Sequence, residues 1–204
     1  MEVGVEVDMS DDFNATASSG AFYEAAYRNQ LSFGNKLARV AWTVVYCCLF
    51  RYSPVPLFGW RRFLLQLFGA KLAPDARVYP SARIWAPWNL TMEARACLGP
   101  EVYCYSVAPV CLAADSTVSF RSFLCTASHD INDAHRRLVV GPIRIGAGAF
   151  VFADAFIGLN VVVGDGAVVA ARAVVVRSVE PLTVVAGNPA KPVSQRNATV
   201  RAGS

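Results

Sequence analysis

From Ile145 to Val179 aliphatic residues recur every six positions: Ile145, Val151, Ile157, Val163, Val169 and Val175. Four places after each stand Ala149, Ala155, Val161, Ala167, Ala173 and Val179, all small or β-branched. Gly146, Gly158 and Gly164 follow three of the leading aliphatics. A helix repeats every 3.6 residues and a simple strand every two, so neither produces this pattern. A period of six belongs to a parallel β-helix, in which each hexad forms one short side of a triangular coil. The leading aliphatic points inward, the small residue fits the corner, and Gly, Asn or Asp takes the turn dihedrals. Corners are expected at Gly146–Gly148, Asn160 and Asp165–Gly166.

The ladder begins near residue 72. Leu72, Val78, Ile84, Leu90, Ala96 and Val102 keep the spacing, with Ala76, Ala82, Trp88, Ala94, Pro100 and Ser106 in fourth place. Trp88 and Pro100 fit a corner badly, so this half reads as irregular. The register slips after Val102 and resumes at Leu112, Val118 and Leu124, followed by Ser116, Ser122 and Ser128. Tyr103–Ser106 between them is expected to be a distorted corner. From Leu124 to Ile145 the gap is 21 residues, three more than a coil of about 18. Its polar stretch from His129 to Arg137 predicts a loop, 129–142, thrown out from the prism. The ladders sum to about five coils.

Residues 31–71 read as a basic helical segment ahead of the prism. Leu37–Phe50 is an apolar run of fourteen residues, short of the roughly 20 that span a bilayer. Pro54 and Pro56 end it. In 57–68, Trp60, Phe63, Leu64, Leu67 and Phe68 follow helical spacing, with Arg61, Arg62 and Gln66 opposite. Such a stretch suits a membrane interface, and it equally suits a cap on the open end of the prism or an oligomer contact. Residues 1–30 lack periodicity and read as a flexible tail; 188–204 read as a C-terminal tail after a β-helix domain of 72–187.

Composition adds limits. The chain has 204 residues, enough for one sizeable core. Hydrophobic residues make up 54% and mean hydropathy is +0.36, consistent with a densely stacked interior, lipid contact, or both. Net charge is only +4, so no nucleic-acid partner is implied. The six cysteines include no CxxC pair and there are two histidines, which argues against zinc and for buried thiols in a reducing cytoplasm. The acidic, polar start does not resemble a secretion signal. The N-x-Thr sequons at Asn14, Asn89 and Asn197 then read as chance matches. The expected location is the cytoplasm, at the inner face of the plasma membrane if 37–68 touches lipid.

A stacked prism buries its interior, so chemistry belongs on loops and outer faces. His129 opens the long polar excursion. A neutral imidazole at a coil edge can take the proton of an alcohol or amine attacking an acyl carbon. His135, among Asp133, Arg136 and Arg137, reads as a surface residue.

The hexads, the Ser128–His129–Asp130 sequence and Gly187–Asn188–Pro189–Ala190–Lys191 together resemble the hexapeptide-repeat acetyltransferases with a left-handed parallel β-helix. The segments GNKLAR, FGWRRFLLQLFGA, YPSARIWAPWNL, FLCTASHDI, FVFADAFIG and TVVAGNPAK point most closely to the subgroup associated with colanic acid or exopolysaccharide biosynthesis. The resemblance runs from about residue 31 to 196. It implies a homotrimer with acetyl-CoA between neighbouring prisms, no metal, and His129 as general base in direct transfer to a sugar hydroxyl of a polysaccharide or lipid-linked precursor. It implies cofactor contacts at Phe150, Ala153, Ala171, Arg177, Lys191 and Arg196, and acceptor contacts at Tyr105, Ser106 and Asp130. The chain departs from the family pattern at Phe150, where Trp is frequent, at Phe152 and Ala170, where Gly is common, and at Val176. N-acetylation of an amino sugar and a non-catalytic trimeric scaffold are the alternatives. A γ-type carbonic anhydrase would need three histidine ligands, and the chain has two histidines in all.

Overall fold

The computed structural model describes residues 33–130 and 138–196. The expected tail 1–30, His135 with the middle of the extruded loop, and the end of the C-terminal tail lie outside these residues. The described chain winds through five complete coils of parallel β-helix and starts a sixth. The first coil comprises β1 (Lys71–Leu72), β2 (Arg77–Val78) and β3 (Arg83–Ile84). The second comprises β4 (Leu90–Met92), β5 (Cys97–Leu98) and β6 (Tyr103–Tyr105), and the third β7 (Val110–Leu112), β8 (Thr117–Val118) and β9 (Phe123–Cys125). A hairpin of β10 (Ala127–His129) and β11 (Leu138–Val140) then leaves the prism. The fourth coil comprises β12 (Ile143–Ile145), β13 (Phe150–Val151) and β14 (Phe156–Ile157); the fifth β15 (Val162–Val163), β16 (Val168–Val169) and β17 (Val174–Val175). Val179 bridges to Val163, and β18 (Thr183–Gly187) extends the stack beyond β16. The first face is β1-β4-β7-β12-β15, the second β2-β5-β8-β13-β16-β18, and the third β3-β6-β9-β14-β17.

Each face stacks one inward side chain per coil. Leu72, Met92, Leu112, Ile145 and Val163 fill the first column; Val78, Leu98, Val118, Val151 and Val169 the second; Ile84, Cys104, Leu124, Ile157 and Val175 the third. All are buried. At the corner between the first and second faces, Ala76, Ala96, Ser116, Ala149 and Ala167 are buried in turn. At the corner between the second and third faces, Ala82, Val102, Ser122, Ala155 and Ala173 are buried likewise.

These columns correct the register expected for the second coil. Its inward residues are Met92, Leu98 and Cys104, two places after Leu90, Ala96 and Val102. The slip lies at the short 3-10 turn Pro87–Asn89, ahead of the second coil, with another before Leu112. Ala96 and Val102 are corner residues, so neither Trp88 nor Pro100 has to fill a corner place. Tyr103–Tyr105 is a regular strand, paired with β3 and β9. The 21-residue gap from Leu124 to Ile145 does not contain a whole coil, because β9 and β12 are consecutive sides.

The tight turns place the residue before the corner side chain in the left-handed region. Gly148 (φ 62°), Gly166 (φ 65°), Asn160 (φ 59°), Asp115 (φ 60°) and Asp154 (φ 61°) match the expected turn chemistry, but Arg95, Glu101, Arg121, Arg172 and Leu182 hold the same conformation without it. Gly164 is required for another reason: a Cβ there would strike the Pro181 backbone nitrogen on the next layer.

The N-terminal segment forms α1 (Phe33–Val45), a π-helical turn at Tyr46–Phe50, and α2 (Phe58–Leu67). Trp42, on α1, is buried and its Nε1 donates to the Ile84 carbonyl at 2.7 Å. α2 buries Leu64 and Leu65 in the core, and three of its polar side chains reach carbonyls of the prism. Arg61 Nε donates to Val78 O at 2.6 Å, Arg62 Nη1 to Ala76 O at 3.0 Å, and Gln66 Nε2 to Leu72 O at 3.1 Å. These are carbonyls of the first coil's open edge, which has no preceding strand to pair with. Arg61 is fully buried and also donates to Ser53 Oγ, Pro54 O and Val55 O. Burial lowers its pKa, yet guanidinium keeps its charge because its starting value is so high. Trp60, Phe63 and Leu67 are left exposed. Among the described residues no helix is long and apolar enough to cross a membrane. At the other end, the chain expected to leave as a tail from 188 instead returns as β19 (Ala190–Gln195), antiparallel to β18.

Arg61→Met should lower unfolding stability by at least about 3 kcal/mol, since three carbonyls and a hydroxyl lose a buried donor. Leu67→Ser, on the exposed side, should stay within about 0.5 kcal/mol. Urea denaturation of both variants checks which side chains of the helix hold it to the prism.

Candidate active site

The three corners of the prism differ. Between the first and second faces, and between the second and third, inward residues are always six apart. The corner between the third and first faces takes every insertion. His129 emerges there, at the end of β10 and opposite Leu138 in the hairpin register. It is exposed, as are Ser128 and Asp130. The hairpin is tied to the coil by Gly141 N–H donating to Thr126 O at 2.9 Å, while Thr126 Oγ1 donates to Tyr105 O at 2.6 Å.

Tyr105 is half-buried on the same edge, its ring 5.4 Å from Trp85 and 5.8 Å from Tyr103. Ser106, expected as an acceptor contact, is fully buried. Its hydroxyl donates to Ala86 O at 3.0 Å and accepts from Ala86 N–H at 3.1 Å. It locks two coils together and is withdrawn from any ligand. Asn89, which sequence reasoning passed over, pins the same corner by donating to Ser106 O and Val107 O, each at 2.9 Å. An Asn closing a Pro-Trp-Asn turn was its one visible signal.

The residues expected on the cofactor lie elsewhere. Phe150 sits half-buried on the second face, its ring 4.6 Å from the exposed Phe152. Ala153 and Ala171 occupy the corner between the second and third faces, in the fourth and fifth coils. The Ala153 carbonyl already accepts Arg172 N–H at 3.0 Å, whereas Ala171 is exposed and its backbone has no backbone partner among the described residues. Lys191 is exposed on β19. Arg177 is exposed just after β17, at the corner that carries His129 but further along the prism. Arg196 is engaged structurally, its Nη1 donating to Gly148 O and Gly166 O at 3.1 Å each.

Two charged residues that the sequence reading passed over lie at the corner between the second and third faces. Arg121 pairs with Asp154 through two bonds of 2.8 and 3.0 Å, and Arg172 lies 3.9 Å from the same carboxylate. The Arg121 hydrogen bond holds the Asp154 carboxyl below the usual carboxylate range. The pair is therefore intact above the ordinary carboxyl range, and its stabilisation is lost as pH falls through the depressed value. Arg172 is largely exposed and sits next to Ala171, within reach of an anionic ligand. Its signal was its place one residue before the corner Ala173. Burial pushes the Cys104 thiol up to about 12, so it stays protonated and inert. No group of metal-binding residues occurs among the described residues.

The fold is shared with known proteins. A hexapeptide-repeat acetyltransferase from Vibrio cholerae, solved with acetyl-CoA, superposes with a TM-score of 0.75 at 20% identity, over 89% of this chain and 100% of that one. A galactoside acetyltransferase solved with coenzyme A gives 0.74 at 18% identity, over 83% and 86%. These likenesses establish the fold. The sequence goes further. "Putative colanic acid biosynthesis acetyltransferase WcaF" of Escherichia coli is 38% identical over 163 residues, 80% of this chain and 90% of that protein. The chain belongs to the hexapeptide-repeat acetyltransferase family. No family model matches it.

Ser106→Ala should cost about 1–3 kcal/mol by leaving the buried Ala86 N–H unpaired, the Ala86 carbonyl keeping the Asn89 N–H, while turnover per folded molecule stays unchanged. Thermal denaturation alongside an acetyl-transfer assay separates the two readings of this residue.

Proposed function

We propose that the chain transfers an acetyl group from acetyl-CoA to a hydroxyl of a saccharide acceptor, in a site assembled between neighbouring subunits of a homotrimer. One observation carries this reading. His129 stands at the corner between the third and first faces, and Ala153 and Ala171 stand at the corner between the second and third. A whole side of the prism separates them within one chain. A base and a cofactor wall so divided can meet when the corner of one prism lies beside the other corner of its neighbour.

The residues present fit such a substrate. Phe150 and Phe152 offer an apolar wall to a pantetheine arm, and Ala171 allows close approach to backbone. Lys191, Arg177 and Arg172 offer cations to phosphates. His129 takes the proton of the acceptor hydroxyl as its oxygen bonds to the thioester carbon. The carbon–sulfur bond then breaks, and the proton held by His129 returns to the departing sulfur. No acyl-enzyme is needed, which agrees with the inert Cys104. Asp130 stays in this reading as an exposed neighbour of the base and of the acceptor.

The exposed apolar residues Trp60, Phe63 and Leu67 of α2 and Leu37, Val40 and Val44 of α1, together with exposed Lys36, Arg51 and Lys71, support docking on an anionic membrane at the cytoplasmic face. An acceptor carried on a lipid would be met there.

His129→Ala should reduce turnover on a panel of neutral and amino sugars by about 10²–10⁴-fold while acetyl-CoA affinity is retained. Equal turnover would remove His129 from the mechanism, and acetylation on nitrogen would replace the hydroxyl acceptor by an amine. Calorimetry without any acetyl-CoA binding would favour a scaffold. Ala171→Trp should weaken acetyl-CoA binding without changing the sedimentation of the trimer. Co-sedimentation with phosphatidylglycerol vesicles should be lost in Phe63→Asp; a wild-type chain that ignores the vesicles rules the membrane contact out.

A further inference from the structure

A cavity of about 220 Å³ lies between α1 with its π-helical turn and the third face of the prism, over the first two coils. Its walls are Arg39, Trp42, Tyr46, Arg83, Trp85 and Tyr103. At roughly 30 Å³ per water it holds about seven, enough for a charged group with part of a sugar ring. It stands apart from the residues assigned to the cofactor and adjoins the edge that carries Tyr105.

The chemistry of the walls is specific. The Arg39 guanidinium lies over the Trp85 ring, 4.4 Å from its centroid. A guanidinium stacked flat keeps its edge donors directed sideways. Its Nε is buried and has no hydrogen-bond partner, the sole such side-chain nitrogen or oxygen among the described residues. Buried donors are nearly always satisfied, so Arg39 is held here at a cost that its stacking on Trp85 offsets in part. Arg83 brings a second guanidinium to the same space from the exposed side of β3. No carboxylate is among the lining residues, so neither cation is neutralised by the walls. Trp85, with Arg39 on one face, and Tyr103, stacked on Phe123, add aromatic surface against which the apolar part of a sugar can lie. Burial raises the Tyr103 phenol above its ordinary value, so it stays a neutral hydrogen-bonding hydroxyl.

The site is also built rather than incidental. Trp42 Nε1 is fixed on Ile84 O at 2.7 Å, which holds α1 at this distance from β3. The rings of Trp85, Tyr105 and Tyr103 run in contact along the third face. Tyr105 pairs in register with Cys125, four residues before His129. Four residues of extended chain reach at most about 14 Å. One acceptor longer than a single sugar can therefore lie along this aromatic edge with its far end in the cavity.

We infer that this cavity is a subsite for an anionic group on the acceptor, a phosphate or a uronate carboxylate, held by Arg39 and Arg83 with the attached sugar stacked on Trp85. The inference deepens the proposed acetyl transfer to saccharides, but its test does not require turnover.

Calorimetric titration of the full chain with glucose 1-phosphate, glucuronic acid and glucose tests it. At least one anionic sugar should bind ten times or more tightly than glucose. Arg83→Gln and Arg39→Gln should each weaken that binding about tenfold and leave glucose unchanged. Arg83 is exposed and can be replaced without disturbing the stacking of α1, so its variant remains decisive if Arg39→Gln perturbs the fold. Preference for glucose 1-phosphate assigns a phosphate-linked acceptor, and preference for glucuronic acid assigns an acidic sugar within the glycan. Equal binding of neutral and anionic sugars, no binding of either anion, or an Arg83→Gln variant that binds like wild type overturns the subsite. His129→Ala should bind the anion normally. A variant lacking His129 that still transfers acetyl groups would therefore sink the proposed base and leave the subsite standing.

Discussion

The structure depends on stacking each coil's backbone onto the next. Parallel hydrogen bonds join β4 to β1, β7 to β4 and onward on all three faces. That register forces the same inward position to be apolar in every layer, because a coil shifted by one residue would turn its aliphatics outward. It also forces corner side chains to be small where Ala76, Ala96, Ser116, Ala149 and Ala167 lie above one another. A polar residue is tolerated in such a column when its hydroxyl has a local carbonyl, as Ser116 has in Ala113 O at 2.6 Å.

The same constraint explains which parts of the fold could be read from sequence. In the fourth and fifth coils every side is a hexad, and the periodicity identifies each inward residue from Ile145 to Val175. In the first two coils the corner between the third and first faces takes eight residues from Ile84 to Met92 and eight from Cys104 to Leu112. The period then breaks once per coil. Leu90, Ala96 and Val102 continued the count from Ile84 and are themselves buried, so nothing in their hydrophobicity revealed the two-residue error. The helical cap was obscured for a different reason. Amphipathic spacing separates two sides of α2, but packing cuts across that division: Leu64 and Leu65 enter the core, Arg61, Arg62 and Gln66 donate to unpaired carbonyls, and Trp60, Phe63 and Leu67 stay exposed.

Functional residues follow a related logic. His129 was legible because it interrupts the ladder with a polar excursion, and the ladder makes interruptions conspicuous. Ser106 was expected on the acceptor from the resemblance and from a corner read as distorted, while its hydroxyl is engaged by the backbone groups of Ala86, twenty residues earlier. Arg196 reads as a phosphate cation from its place near Lys191, but β19 folds back and carries it to Gly148 and Gly166. Arg172 and Arg121 could not be singled out from other surface arginines until the coils brought them to one carboxylate.

The unequal corners connect architecture with chemistry. Two corners keep a fixed six-residue step, and from the second coil to the fifth each of their turns is a left-handed residue followed by a buried side chain. The third corner is free of that restriction: it admits the Pro87–Asn89 turn, the segment around Ser106 and the whole β10–β11 hairpin. Side chains able to act on a ligand collect along that edge, from Arg83 and Trp85 through Tyr105 to His129. The constant corner between the second and third faces, by contrast, repeats one flat geometry over successive coils, which suits a long extended ligand better than a reactive group. A β-helix that confines its insertions to a single edge therefore separates the reactive edge from the repetitive one. In the proposed reaction the two edges have to come together, and apposition of two prisms is the simplest arrangement that would do it.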